Sequence, residues 1–453
     1  MKKFVAFSSK VVFVILLLLP VIGHANVLED YEESHKIYLA ATACMGAYSD
    51  RVGGFALDAL RQDGWQVESY ATKTDNKANA RFLLARKVQP DSNQPVFILA
   101  VVGTETVKDV LTDLLVDQVY FAGRTTEEFA ANAQRKDMPD SAPKVHKGYN
   151  QFVQAALAAK GQDDKDTAKQ QLTAMLLEHH AGKIYLVGHS MGGAVVTLAG
   201  ARLVSAGVQP EQIEIITFGA PAVGNAAFRK DFESVLDLTR IVTFGDPITE
   251  VLQDLVGGYN QFGRKISWEV PESATILPHE MTMYLDLAIK HYYWNRQQAI
   301  EAGVLPGPVD QTLPVADVPR VYIAPIQNHL SENLQEEFFY MKEALQDEYR
   351  RTFPGYVIDT AQDGGDVFEK AAAAGCRWVL VAGIADHKIK DTQSGYFITL
   401  EQSVYLVATG DMINFASYGR STRTTTLLQA LIHDGTNIGL DSHAWLSVAQ
   451  TKQ

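Results

Sequence analysis

A serine flanked by glycines is the first feature of this sequence that could do chemistry. The run Gly188-His189-Ser190-Met191-Gly192 fits the pattern G-x-S-x-G. A β-rich apolar stretch precedes it, and Gly193-Ala194 opens a helix-forming stretch after it. A hydroxyl on a tight strand-to-helix turn stands clear of the strand end and can attack a carbonyl carbon. The sequence therefore predicts Ser190 as a nucleophile.

A serine nucleophile needs a carboxylate further along the chain, in the order Ser, Asp, His. Asp246 fits this part, because it follows the strand-forming residues 240–245 and precedes Pro247. We therefore expect Asp246 at the carboxyl end of the second strand after the nucleophile strand.

Two late histidines are candidates for the base. His279 follows Pro278 in a loop, whereas His291 lies inside a predicted helix, Met281 to Trp294. We favour His279, since a loop residue can reach over the strand ends. His189 adjoins the nucleophile and is expected to point away from it.

The negative charge that develops on the substrate oxygen needs two hydrogen-bond donors. The backbone N–H of Met191 stands at the start of the helix after Ser190. Thr104 follows the apolar run Val96 to Val102 and Gly103, and it can offer its N–H and its hydroxyl. We predict Thr104 and Met191 as the oxyanion hole, although a strand-ending turn explains Gly103-Thr104 equally well.

The elements that must position these residues alternate between strands and helices. Continuous apolar runs without alternation indicate strands that are buried on both faces. Such runs separated by helical patterns predict a mostly parallel sheet covered on both sides, with the active site at the carboxyl ends of its strands. The predicted strands are 96–102, 184–187, 213–218 and 241–244, and 194–204 is a predicted helix.

Composition and charge narrow the class of protein. The chain has 453 residues, a formal net charge of -13 and 47% apolar residues. An acidic surface repels phosphate backbones, so a nucleic-acid partner is disfavoured.

Residues 1–25, with three lysines and an apolar run from Val11 to Ile22, are predicted to be a secretory signal peptide, and an uncleaved membrane anchor is the alternative. Export would permit a disulfide between Cys44 and Cys376, and two buried thiols are at least equally compatible with the sequence.

Five ordered segments resemble the class 3, or fungal-type, triacylglycerol lipase family of α/β-hydrolases. The segments are 102–104 with 108–114, then 145–149, 188–193, 217–225 and 240–247, and residues 278–284 match more loosely. The resemblance implies Ser190, Asp246 and His279 as the catalytic triad, with Thr104 and Met191 as oxyanion donors and without a metal or cofactor. Two positions depart from the family pattern, since Val102 and Ala222 stand where arginine is usual. Both departures affect the support around the site rather than the triad.

The segment Val107 to Tyr120 occupies the position of the lid in such lipases. Apolar residues recur in it at helical spacing on one face. A mobile lid would turn this face toward lipid, whereas a fixed amphipathic helix would pack it on the core. Both interpretations stay open.

A proline-rich stretch separates a second, smaller α/β region. Residues 303–318 are a predicted linker between a hydrolase domain, 26–302, and an accessory domain, 319–453. The accessory region weakly resembles the small α/β domain of TolB-type and curli-secretion proteins. Its predicted strands are 321–325, 357–359, 378–382, 394–399, 404–409 and 413–417, and its predicted helices are 331–351, 367–374 and 424–432.

The sequence thus predicts an α/β-hydrolase domain with a mostly parallel sheet plus a small C-terminal α/β domain. Its predicted activity is that of an exported serine carboxylic-ester hydrolase, periplasmic or secreted, that acts on acylglycerols or related lipid esters at a lipid–water interface. A phospholipase is the near alternative. An envelope binding module with an inactive hydrolase domain is the distant one. An envelope protein is the expected partner of the C-terminal domain.

Overall fold

The structure is a computed structural model. It describes residues 8–48, 51–71, 81–89, 93–101, 117–139, 141–157, 182–251, 257–274, 276–315, 318–361, 364–390 and 395–437. The predicted oxyanion residue Thr104 and residues 107–116 of the predicted lid segment lie outside these ranges.

The chain divides into two compact units. One comprises His35–Val270 and Leu277–Ala288, and we call it the seven-stranded unit. The other comprises Met1–Ser34, Pro271–Ile276 and Ile289–Gln453, and we call it the six-stranded unit.

The main sheet of the seven-stranded unit is mostly parallel over the described residues, as the sequence predicts. The strands of this unit are β1 (Gln66–Ala71), β2 (Arg81–Val88), β3 (Pro95–Val101), β4 (Gln118–Tyr120), β5 (Lys144–His146), β6 (Lys183–His189), β7 (Ile213–Phe218), β8 (Asp237–Thr243) and β9 (Arg264–Trp268). The order is β1-β2-β3-β6-β7-β8-β9. In it β3, β6, β7, β8 and β9 run parallel, whereas β2 pairs antiparallel with both β1 and β3. A separate antiparallel pair joins β4 to β5.

Helices cover this sheet and connect its strands. The helices up to the end of the unit are α1 (Ser8–Gly46), α2 (Arg51–Gln62), α3 (Thr126–Asn132), α4 (Lys147–Leu157), α5 (Met191–Ser205), α6 (Ala226–Phe232), α7 (Ile248–Val251) and α8 (Met281–Glu301). Two of them, α1 and α8, cross from one unit into the other along the chain. In the described part of the chain, no helix combines the length and the apolar character that a membrane crossing needs.

The central strands have the burial that their composition predicts. Every residue of β7 is buried, and β3 is buried from Val96 onward. Each large apolar side chain that leaves water in this way contributes roughly 1.5–3 kcal/mol. The four strands predicted at 96–102, 184–187, 213–218 and 241–244 are confirmed, with ends shifted by a few residues.

The six-stranded unit combines parallel and antiparallel pairing in its described residues. Its strands are β10 (Val321–Ile323), β11 (Gln327–His329), β12 (Tyr356–Ile358), β13 (Trp378–Lys388), β14 (Tyr396–Leu406) and β15 (Met412–Ser421). The order is β12-β10-β13-β14-β15, with β11 also paired to β13. Helices α9 (Glu337–Thr352) and α10 (Val367–Ala373) and a helix at 427–437 accompany them.

Three predictions for this unit need correction. The strands predicted at 394–399 and 404–409 are one strand, β14, which pairs with β13 along its whole length. Its polar centre looked like a break, but Gln402 is buried and accepts a hydrogen bond from Tyr349 at 3.1 Å. The helix predicted from Ser331 begins at Glu337, after a 3₁₀ turn at Glu332–Leu334, and the last helix begins at 427 rather than 424.

Part of the predicted linker pairs with this unit. The Ile358 N–H donates to the Asp310 carbonyl at 2.7 Å, and the Thr312 N–H donates to the Tyr356 carbonyl at 3.0 Å. These bonds attach residues 310–312 to β12, so this part of the stretch is ordered against the sheet.

The two cysteines are free and buried. Cys44 lies in the seven-stranded unit and Cys376 in the six-stranded unit. Of the two alternatives that the sequence leaves open, the structure has the separate thiols.

Candidate active site

Ser190 lies on a strained turn between β6 and α5. Its backbone has φ 55° and ψ −126°, a left-handed conformation that costs an L-residue on the order of 1–3 kcal/mol. The Ser190 N–H donates to the Phe218 carbonyl at 2.8 Å, which ties the turn to the neighbouring strand. A Cβ at Gly188 would lie 2.4 Å from the backbone of Gly192, and one at Gly193 would lie 2.6 Å from Ala220. The glycines are therefore required by the tight turn.

The three side chains that are predicted from the sequence to act as nucleophile, base and carboxylate meet at this turn. His279 Nε2 lies 2.9 Å from Ser190 Oγ. His279 Nδ1 lies 2.9 and 2.8 Å from the two carboxylate oxygens of Asp246. Ser190, Asp246 and His279 are all buried. Because a carboxylate only accepts, Nδ1 carries the proton, and Nε2 is free to accept from the serine hydroxyl.

The elements of the unit explain why these residues meet. Ser190 follows β6, and Asp246 lies just past the end of β8, two strands further across the parallel sheet. The carboxyl ends of parallel strands share one edge of a sheet. His279 comes from the loop that precedes α8, whereas His291, the alternative, lies inside that helix.

Asp246 is held by donors besides His279. The Tyr284 hydroxyl donates to Oδ2 at 2.6 Å, and the Ile248 N–H donates to Oδ1 at 2.9 Å. Burial, and secondly the Asp246 charge, raise the pKa of Tyr284 well above its ordinary value. The phenol therefore stays neutral and donates. Both carboxylate oxygens of the buried Asp246 thus have hydrogen-bond partners, as buried polar groups require.

The loop after β7 leaves room for the contact between Asp246 and His279 because residue 219 is a glycine. Gly219 has φ 58°, and a Cβ on it would lie 2.6 Å from Asp246 Oδ2 and 3.1 Å from His279 Nδ1. Any side chain at this position would push against the contact between the carboxylate and the imidazole.

The loop that carries His279 is anchored through its backbone. The Thr243 hydroxyl donates to the Pro278 carbonyl at 2.8 Å. His189 Nε2 lies 2.7 Å from the His279 carbonyl, and His189 Nδ1 lies 2.6 Å from the Tyr48 hydroxyl. His189 thus points away from Ser190, as the sequence predicts.

Of the predicted oxyanion donors, Met191 lies in the described residues. It is the first residue of α5, directly after Ser190. A helix amino terminus carries partial positive charge and directs its first N–H groups outward, as an oxyanion requires.

The predicted lid segment is described only at its end. Residues 118–120 form strand β4, which pairs with β5, so the helical pattern does not extend to them. A bond from the Gln118 side chain to the Gly258 carbonyl, at 3.1 Å, also fixes this end.

Three residues of the site escaped sequence reasoning. The Tyr284 hydroxyl contacts Asp246, the Thr243 hydroxyl contacts the His279 loop, and the Tyr48 hydroxyl contacts His189. The only signal for Tyr284 is its place one turn into the helix after His279. Tyr48 lies over a hundred residues from its partner His189, so no local pattern reveals it.

The family comparison matches a segment that includes two of the three clustered side chains. Residues 98–255 match the model of the family described as lipase (class 3). This segment includes Ser190 and Asp246 and ends before His279.

Curated relatives match parts of the chain. Galactolipase DONGLE, chloroplastic, from Arabidopsis thaliana is 27% identical over 246 residues, which cover 48% of this chain and 49% of the relative. Secreted mono- and diacylglycerol lipase 2 from Gibberella zeae is 28% identical over 149 residues, covering 32% of this chain and 34% of the relative. The chain spans between about a fifth and a half of the length of the curated relatives it matches.

Solved structures of lipases are also similar. The lipase from Rhizopus microsporus var. chinensis aligns with a TM-score of 0.39 and 19% identity, over 52% of this chain and 74% of that one. The family match shows that the chain is similar to the class 3 lipases over residues 98–255, and this match supports a serine ester hydrolase.

Proposed function

We propose that this protein hydrolyses lipid esters through an acyl-serine intermediate. One observation carries the proposal: Ser190, His279 and Asp246 form an unbroken hydrogen-bonded chain at a strained turn. The match of residues 98–255 to class 3 lipases supports it independently.

The proposed reaction begins when Ser190 Oγ attacks the ester carbonyl while His279 Nε2 takes the hydroxyl proton. Asp246 stabilises the imidazolium that forms. The N–H of Met191 and the N–H or hydroxyl of Thr104 stabilise the oxyanion. The imidazolium then gives its proton to the leaving alkoxide, and an acyl-serine remains. Water attacks this ester while His279 again takes the proton, which releases the acid and restores Ser190.

The proposed substrates are acylglycerols or related lipid esters that the enzyme meets at a lipid–water interface. The relatives' names cover a galactolipase, phospholipases A(1) and a mono- and diacylglycerol lipase, so their head groups differ. A phospholipase activity is therefore the second candidate.

The test is to label the full-length protein with a fluorophosphonate and then assay a graded series of esters. We expect Ser190 to be labelled, and we expect hydrolysis of a neutral diacylglycerol to exceed that of phosphatidylcholine of equal chain length. Hydrolysis of phosphatidylcholine alone would favour the phospholipase. A protein that neither reacts with the probe nor hydrolyses any ester would instead be a binding module with an inactive hydrolase domain.

We further propose that the protein is exported and that residues 319–453 form an accessory domain that binds an envelope partner. The signal-like residues 1–25 and the separate fold of the six-stranded unit support this. Sequencing the amino terminus of protein recovered outside the cytoplasm tests export, since cleavage after Ala25 should leave Asn26 first. Recovery with an intact Met1 would contradict it.

A further inference from the structure

The residue before the nucleophile, His189, contacts the base rather than the serine. Its ring is buried, and Nε2 lies 2.7 Å from the backbone carbonyl of His279. On its other side, Nδ1 lies 2.6 Å from the hydroxyl of Tyr48. A chain of two hydrogen bonds therefore runs from Tyr48 to the backbone of the proposed base.

The two partners fix the tautomer of His189. A carbonyl oxygen only accepts, so Nε2 must carry the hydrogen and donate to His279. Nδ1 then has a lone pair, and the Tyr48 hydroxyl donates to it. Both ring nitrogens are satisfied only in this tautomer, which gives the ring one orientation.

His189 stays neutral beside a base that becomes positive during the proposed reaction. The two imidazole rings lie 4.8 Å apart between centroids. Burial, and secondly the neighbouring His279, lower the pKa of His189 to about 3. Proton uptake by His279 therefore meets no second positive charge.

Two consecutive carbonyls of the His279 loop are thus held by side chains. Thr243 donates to the carbonyl of Pro278, and His189 donates to that of His279. Asp246 orients the imidazole itself. The backbone bonds keep the ring centre in place, and the carboxylate sets its rotation.

We propose that Tyr48 and His189 form a positioning strut that holds the His279 backbone at the distance at which Nε2 reaches Ser190. The strut rests on the proposed function, because it acts through the proposed base. Neither residue touches the ester, so both are positioning residues. The strut should raise kcat and leave KM nearly unchanged.

The test compares three variants of the full-length protein, with active sites counted by fluorophosphonate burst. His189→Leu removes both hydrogen bonds, and kcat per labelled site should fall about 10–100-fold, because small misplacements of a base are costly. His189→Gln keeps an amide donor and a carbonyl acceptor, and it should recover most of that loss. Tyr48→Phe preserves shape and removes one hydroxyl, so its loss should be smaller than that of His189→Leu.

The matched control is His146→Leu. His146 is as buried as His189, and its ring stacks on Tyr149 at 4.0 Å rather than on the base. It should lower stability without changing kcat per labelled site.

A purely structural role for His189 predicts the same pattern for His189→Leu, and that result would overturn the strut. Equal kcat for His189→Gln and His189→Leu would overturn it as well. If His189→Leu does not fold, unchanged kcat and KM in both Tyr48→Phe and His189→Gln would overturn it. A wild-type protein without labelling or hydrolysis would refute the proposed function instead.

Discussion

The buried polar groups of the two units differ in their surroundings. In the seven-stranded unit, Ser190 is held in a left-handed conformation and joined to a buried imidazole and carboxylate. In the six-stranded unit, the described residues with positive φ are all glycines. Its buried Asp359 is neutralised by Lys370 at 3.1 Å and hydrogen-bonded by Tyr322 at 2.8 Å. Strain together with a nucleophile indicates a reactive site, whereas charge pairing by itself stabilises a fold.

The same contrast appears where helices meet in the six-stranded unit. Arg296 pairs with Glu343 at 2.8 Å and with Asp347 at 2.7 Å, which joins the end of α8 to α9. Such pairs satisfy each other's charge and leave no group ready to accept a proton from a substrate. We therefore expect substitutions around the site in the seven-stranded unit to reduce turnover. Equivalent substitutions in the six-stranded unit should reduce stability alone.

The largest expected effect comes from removal of the proposed nucleophile or the proposed base. Ser190→Ala and His279→Ala should each lower kcat by about 10⁴-fold or more, because triad members act as a unit. His291→Ala is the matched control, since it removes the other candidate base, and its kcat should stay within about twofold of wild type. An inactive His291→Ala with an active His279→Ala would contradict the assignment. Steady-state hydrolysis of a short soluble ester measures all three.

A smaller loss is expected from a methyl group next to the triad. Gly219→Ala would place a Cβ 2.6 Å from Asp246 Oδ2, so the carboxylate must move, and we expect kcat to fall about 100-fold. Gly375→Ala is its match in the other unit, because Gly375 has φ 66° and open space around it. It should cost about 1–2 kcal/mol in thermal unfolding and leave kcat unchanged. Equal effects of Gly219→Ala and Gly375→Ala on kcat would contradict the assignment of catalysis to the seven-stranded unit.

The elements that follow local rules are predictable from the sequence. The elbow at Ser190 was predictable because glycines and an apolar strand are local signals, and the strands of the parallel sheet because burial on both faces leaves continuous apolar runs. His279 and Asp246 were nominated through chain order and loop position. The polar Gln402 makes the long strand β14 resemble two strands in the sequence, and only its contact with Tyr349 shows that Gln402 is buried.

The supporting shell of the site was beyond local reasoning. Tyr48 reaches His189 across 141 positions, and Gln118 reaches Gly258 across 140. Hydrogen bonds of this kind depend on how elements pack, which no spacing rule encodes. Gly219 looked like part of a loop motif, and its role became visible only from the atoms that a Cβ would meet.

Acid should destabilise the seven-stranded unit at His146 and stabilise the six-stranded unit at Asp434. Burial lowers the pKa of His146 to about 4, so protonation favours the unfolded chain, and its stabilising effect is lost as the pH falls below about 6.5. Between pH 7 and pH 5 this loss is about 2 kcal/mol. Burial raises the pKa of Asp434 to about 6, so in its unit protonation favours the folded state as the pH falls through 6.

Hydrogen exchange of backbone amides at pH 7 and pH 5, followed by mass spectrometry of peptides from each unit, measures this difference. After each rate is divided by the intrinsic exchange rate at its pH, peptides near His146 should be less protected at pH 5 than at pH 7, and His146→Gln should remove that loss of protection. Peptides near Asp434 should not lose protection, and Asp434→Asn should remove any protection gained. A uniform loss of protection in both units would argue against opposite roles for these buried groups.

The smallest expected effect comes from one hydroxyl beside the triad. Tyr284→Phe removes the donor that lies 2.6 Å from Asp246 Oδ2, and the change of one hydrogen bond to a charged group should lower kcat roughly 10-fold. With less of its charge satisfied, the carboxylate should hold the proton of His279 more tightly. The acid limb of the kcat/KM profile should therefore move to higher pH.

Tyr349→Phe is the matched control, because it removes an equally buried hydroxyl that donates to Gln402 at 3.1 Å in the six-stranded unit. It should cost about 1 kcal/mol of stability and leave the pH profile in place. If Tyr284→Phe behaved in the same way, Asp246 would be positioned by Ile248 and His279 alone. A shifted limb in Tyr284→Phe and an unchanged one in Tyr349→Phe would show that a buried hydroxyl changes the chemistry only where it contacts the carboxylate of the triad.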